Sequence, residues 1–239
     1  MKNCHRILVL FVFWVISLLL FSLSSLAAEQ INPRVVETGP SDKLILAPPN
    51  ATRAVANPAS VIPWPKEKTP TAPAGFEVSL FADDLDNPRM IYVLPNGDVL
   101  VMESLPQQST SRIVLLRDSA KSGTPTVRQS FLRRLNMAFG MALIGNRFYV
   151  GNTDGIVVFP YRAGDTQIKR RPEKILDLPG GGHYTRNLLT DPAGKKIYVA
   201  VGSSGNIDEQ RVDEKDPRRA AILQINPDGS GMIWRALPP

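Results

Sequence analysis

The chain has 239 residues, a formal net charge of +6 and a single cysteine. That cysteine is Cys4, inside an N-terminal segment with the marks of a cleavable signal, so disulfides, zinc–thiolate sites, iron–sulfur clusters and cysteine nucleophiles are excluded downstream of it. The basic residues are scattered apart from Lys169-Arg170-Arg171 and Arg218-Arg219, with no basic stripe interleaved with aromatics, which argues for solvated surface and against a nucleic-acid partner.

Residues 1–28 read as a secretory signal. Lys2 and Arg6 form a basic start, Ile7 to Phe21 is apolar apart from Ser17, and Ser25-Leu26-Ala27 supplies a small-x-small cleavage pattern. An uncleaved anchor is the rival, because roughly 20 apolar residues span a bilayer. The leading reading predicts a periplasmic or secreted protein with no membrane attachment after cleavage. Residues 29–74 form a leader with prolines spread from Pro33 to Pro73. Proline removes donors and fixes φ, so this stretch predicts an extended linker that partly wraps the folded domain. Trp64 is either its docking point or an exposed aromatic.

From Gly75 to residue 239 the pattern changes to short strands between turns, and it repeats. Val99-Leu100-Val101, Phe148-Tyr149-Val150 and Ile197-Tyr198-Val199 recur every 49 residues, at 99, 148 and 197. Each follows turn chemistry: Pro95-Asn96-Gly97-Asp98, Gly145-Asn146-Arg147, and Asp191 to Lys195. An apolar segment precedes each turn, at Met90–Val93, Phe139–Leu143 and Asn187–Leu189. A third strand follows at Arg112–Leu116, Gly155–Phe159 and Ala220–Ile225. A fourth is predicted at Val127–Leu132 and Lys174–Leu178, with another strand starting at Met232–Ala236.

Four short antiparallel strands in roughly 45–50 residues is the signature of a β-propeller blade. The fold class is therefore all-β, a propeller with about three blades and the start of a fourth at Trp234 to Pro239. Closed propellers need about four to eight blades, so the count predicts that the sequence is the N-terminal part of a larger ring. The polar insertion Gly202–Arg219 predicts a surface loop, and its Asp208, Glu209, Asp213, Glu214 and Asp216 fit no defined calcium loop. No metal ligands are assigned.

In a propeller the loops leading into the innermost strands form one rim of the channel, where ligands collect. The three lead-in loops carry Asn87-Pro88-Arg89, Asn136-Met137-Ala138 and, in the third unit, Leu178-Pro179-Gly180-Gly181-Gly182-His183-Tyr184-Thr185-Arg186-Asn187. His183 is the only histidine left once His5 departs with the signal. Imidazole suits proton traffic near neutral pH. By residue type alone a structural imidazole bonded to a carbonyl is the stronger reading. Asn136 and Asn152 read as turn residues, and Glu103 and Asp154 more as structural than as rim carboxylates.

Three blocks carry a specific resemblance: Gly181-Gly182-His183-Tyr184-Thr185-Arg186-Asn187-Leu188, Gly194 to Ser204, and Arg219 to Gly229. Together they resemble the sorbosone dehydrogenase-like branch of the soluble glucose/sorbosone dehydrogenases, over about Gly75 to the C-terminus. The resemblance implies a six-bladed propeller that uses pyrroloquinoline quinone (PQQ), with calcium. It implies that His183 is the general base in oxidation of a sugar or aldehyde, with an electron acceptor as partner. Arg186 and Asn187 become candidates for cofactor contact. It also implies that the calcium ligands and most cofactor-holding residues would lie beyond residue 239, so the expectation is a piece that binds no PQQ and is inactive alone. Two other readings stand beside it: a propeller that only binds, and a metal-dependent lactonase-like propeller, for which the lead-in loops offer few carboxylates.

Overall fold

The computed structural model describes residues 58–60, 62–65, 68–105, 110–205 and 216–236. The predicted signal, the leader up to residue 57, and Asp208, Glu209, Asp213 and Glu214 of the insertion lie outside them. All elements fall in the unit Pro58–Pro239.

The described strands make three four-stranded antiparallel sheets. The first pairs β1 (Pro88–Val93), β2 (Val99–Leu105), β3 (Thr110–Arg117) and β4 (Val127–Leu135) in chain order. The second does the same with β5 (Met141–Ile144), β6 (Arg147–Asn152), β7 (Gly155–Pro160) and β8 (Glu173–Asp177). The third holds β9 (Arg186–Thr190), β10 (Ile197–Val201), β11 (Ala221–Ile225) and β12 (Ile233–Ala236). These are propeller blades, each a meander whose first strand is one edge.

The hairpins form where the turn residues dictate. Gly97 sits at φ 87°, Gly194 at 64° and Gly229 at 86°, a region that favours glycine. At the first turn the Leu94 N–H donates to the Asp98 carbonyl at 2.8 Å. The buried Asp98 carboxylate takes Nε and Nη2 of Arg117, each at 2.6 Å. Those bonds hold its carboxyl below the usual range. The same ion pair lines a cleft of about 770 Å³ with Phe81, Asn96 and Gly164. Both charges are already matched there, so the cleft has no unspent reactive group of that pair to offer.

The middle sheet explains why the repeat reads as continuous apolar runs rather than alternation. Phe148, Val150, Val157 and Phe159 pack toward the first sheet, while Tyr149, Ile156 and Val158 pack toward the third. Phe148 meets Phe131 edge-to-face at 5.4 Å between centroids. Phe81, Ala82 and Leu85 cover the other face of the first sheet at Val101, Val114 and Leu116.

Two expectations are corrected. The segment from Trp234, read as the start of a fourth blade, is instead part of β12 as far as Ala236, the fourth strand of the third sheet. The Pro227-Asp228-Gly229 turn sends the chain straight back along β11, pairing Leu223 with Trp234. Strand β5 begins at Met141 rather than Phe139. Gly140 instead donates to the Arg186 carbonyl at 3.0 Å, which ties the second sheet to the third.

That crossing needs glycine on both sides. A Cβ on Gly140 would lie 2.6 Å from the Leu188 nitrogen, and one on Gly151 3.1 Å from Cβ of Arg186 and inside contact of its carbonyl oxygen. Backbone cannot yield as a side chain can. Gly151→Ala is therefore expected to destabilise the protein by about 2–3 kcal/mol, seen as a lower urea midpoint with an unchanged slope. A wild-type midpoint would mean that β9 is free to move off the second sheet.

Candidate active site

His183 lies in the loop between β8 and β9, which turns through Gly181 at φ 75° and Gly182 at φ 60°. A Cβ on Gly182 would lie 2.7 Å from Cα of Ser204, and one on Gly202 2.6 Å from Cβ of His183. These two glycines let the loop lie directly on the chain leaving β10. The His183 N–H donates to the Ser203 carbonyl at 3.0 Å. The imidazole is exposed, with Nδ1 2.9 Å from Oγ of Ser203. Ser203 Oγ in turn donates to the Gly205 carbonyl at 2.8 Å.

A glycine loop has no side chains of its own to hold it. Two arginines supply the grip. Arg186 opens β9 facing the second sheet and is 0% exposed. Its Nη1 donates to the carbonyls of His183 at 2.6 Å and Thr185 at 2.9 Å, and its Nη2 to that of Pro179 at 2.6 Å. Its Nε is buried without a hydrogen-bond partner. Burial, and secondly the charge of Arg219, lower the Arg186 guanidinium to about 10. Arg219 reaches from the other side, bonding the Gly180 carbonyl closely and lying 3.4 Å from that of Gly181.

The three residues expected at this site thus fare differently. His183 is presented outward on a held loop. Arg186 points into the protein, and its guanidinium bonds three carbonyls of the loop and so supports it. A charged residue is normally expected outside; here Gly140 and Gly151 bring the second sheet over it. Asn187 is exposed, and its register with Ala200 and Ile222 puts it on the outer face of the third sheet. Along that face Leu189 and Ile233 are also exposed.

The other lead-in loops are built by backbone. The Asn136 N–H donates to Oδ1 of Asn152 at 3.2 Å, a turn role for both. Arg89 stands 5.9 Å over the Phe139 ring. Glu103 is 0% exposed, ion-paired to Arg112 and accepting the Asp86 N–H at 2.7 Å, and Asp154 pairs with Lys174 at 3.4 Å. In the insertion, Asp216 is held down to about 2 by its bonds from Arg218. Among the described residues no group of three or more His, Cys, Asp or Glu could hold a metal ion.

Ser203 and Arg219 were not singled out as site residues by sequence. Arg219 read as one half of a solvated basic pair. The one local hint was Ser203 directly after Gly202, which follows the last residue of β10.

Comparison with known proteins places this architecture. The chain is similar to the Trichoderma reesei carbohydrate-active enzymes family AA12 structure, with TM-score 0.53 and 20% identity over 65% of this chain and 40% of that one. It is also similar to the holo form of the pyranose dehydrogenase PQQ domain from Coprinopsis cinerea, with TM-score 0.50 and 21% identity over 61% of this chain and 34% of that one. The chain therefore spans less than half the length of either. At these identities the likeness shows the fold. No curated protein matches. The TrAA12-like family model matches residues 70–226, which takes in all three lead-in loops and the His183–Ser203 contact, and the chain belongs to that family.

Proposed function

We propose that the protein is an exported PQQ-dependent dehydrogenase of sugars, in which His183 is the general base. The observation that carries this reading is an exposed imidazole fixed on a bare glycine loop that leads into β9, an edge strand of the third sheet. A base must sit within hydrogen-bond reach of the hydroxyl it deprotonates, and His183 is the only imidazole outside the signal segment.

The residues present fit one side of a flat, anionic cofactor. A Cβ on Gly180 or Gly181 would meet nothing within 4 Å, so the loop faces open space that a planar ring system can approach. Arg219, only partly buried, is the cation of this loop that can also face a carboxylate. PQQ, when bound, supplies the electron sink. His183 accepts the proton of the sugar hydroxyl as the carbinol carbon is oxidised. Arg186 and Arg219 keep the loop from shifting while that proton moves. An outside electron acceptor completes the cycle.

The activity is proposed of the whole protein, because this chain covers 40% and 34% of those two solved neighbours. The exposed apolar residues Leu189, Ile222 and Ile233 are the kind of face that a neighbouring blade covers. Sorbosone-type and glucose-type aldoses are the substrates proposed, and the N-terminal signal pattern supports a periplasmic or secreted location. The test is dye reduction by the full-length protein with PQQ and calcium across a panel of aldoses. Sugar-dependent reduction that requires PQQ is expected. PQQ binding without turnover on any sugar would favour a propeller that only binds.

A further inference from the structure

The geometry points to Ser203 as the residue that sets the tautomer of His183, putting the ring proton on Nδ1 and the lone pair on Nε2. A serine hydroxyl has one proton to donate. The Gly205 carbonyl, 2.8 Å from Oγ, can only accept, so the Oγ proton must go to it for both contacts of the hydroxyl to be hydrogen bonds. The Nδ1 of His183, 2.9 Å from the same oxygen, must then be the donor. A neutral imidazole with its proton on Nδ1 carries its lone pair on Nε2.

The backbone makes this contact durable. The His183 N–H bond to the Ser203 carbonyl, at 3.0 Å, fixes the same two residues a second time. Gly202 removes the side chain that would push them apart. Arg186 holds the His183 carbonyl from the opposite side at 2.6 Å. Ser203 is thus a positioning residue: it touches the base and not the reacting atoms. Its functional consequence rests on the proposal that His183 is the base, because only then does the location of the lone pair matter for turnover.

His183 is the single histidine of residues 29–239, and the signals lost in His183→Ala identify its imidazole in the full-length protein. In long-range 15N–1H correlation spectra of the full-length protein, Nε2 couples to both ring protons and Nδ1 essentially to one. In the neutral ring, the protonated nitrogen is expected to be Nδ1 in the wild type and in Ser203→Thr, which keeps the hydroxyl. In Ser203→Ala the Nε2–H form is expected to dominate. A wild-type Nε2–H ring, or an unchanged tautomer in Ser203→Ala, would overturn the assignment. With PQQ and sugar, Ser203→Ala is expected to lower kcat roughly ten- to a hundredfold, a part of the ~10²–10⁴ that a positioned base contributes. KM should hold, and Thr should restore the rate. A tautomer that switches while kcat does not would remove His183 as the base and leave the Ser203 assignment standing.

Discussion

Arg186→Ala is expected to lower the stability of the protein by about 3 kcal/mol and to loosen the loop that carries His183. The change removes the donors of the His183 and Thr185 carbonyls and leaves that of Pro179 only a long bond from Arg219, at 3.5 Å. Each buried acceptor left unmet costs about 1–3 kcal/mol, less where loop carbonyls can be reached by water. The lost side chain also leaves a void between the second and third sheets, since Arg186 is 0% exposed. Against this stands a relief. The folded protein holds the Arg186 proton more weakly than the unfolded chain does, with the group lowered to about 10. The cost of burying the cation is therefore fully present at neutral pH and is relieved only as pH rises above about 10. The estimate of about 3 kcal/mol is net of that cost. Arg186→Lys should recover less than half of it, because one ammonium cannot reproduce a planar fork on three carbonyls. Urea unfolding of the three proteins at neutral pH checks the order. Wild-type stability in Arg186→Ala would mean that Arg219 and the His183 N–H bond to Ser203 suffice to hold the loop.

His183→Ala is expected to reduce kcat by about 10²–10⁴ in the PQQ-loaded full-length protein, while unfolding shifts by less than about 1 kcal/mol. The two readouts separate because the side chain is exposed while the loop is anchored through carbonyls and through the His183 N–H, which alanine keeps. His183→Gln, which retains polarity and bulk without a titrating nitrogen, should be as slow as alanine. Recovery of the rate by glutamine would reduce the imidazole to a hydrogen-bonding spacer.

Much of the fold was legible because its instructions are local. Asn96-Gly97-Asp98 and Pro227-Asp228-Gly229 specify reversals by their own conformations, and the 49-residue spacing phases the blades. The assignment of β12 needed the pairing itself, since an apolar segment after a turn can close one blade or open the next. The site divides along the same line. A lone histidine beside three glycines stands out in sequence. Its Ser203 partner lies 20 residues on, and Arg219 grips Gly180 across 39 residues. Nothing near Arg186 in sequence announces that Gly140 and Gly151 close over it.

The measurement closest to the central claim is a single anaerobic turnover. Full-length protein loaded with PQQ is mixed with an aldose, and the absorbance of the bound quinone is followed in the wild type and in His183→Ala, with cofactor occupancy matched beforehand. Rapid reduction in the wild type, slowed by deuterium on the oxidised carbon, and reduction at least a hundredfold slower in His183→Ala are predicted. Equal rates in the two proteins would contradict the assignment of His183 as the base.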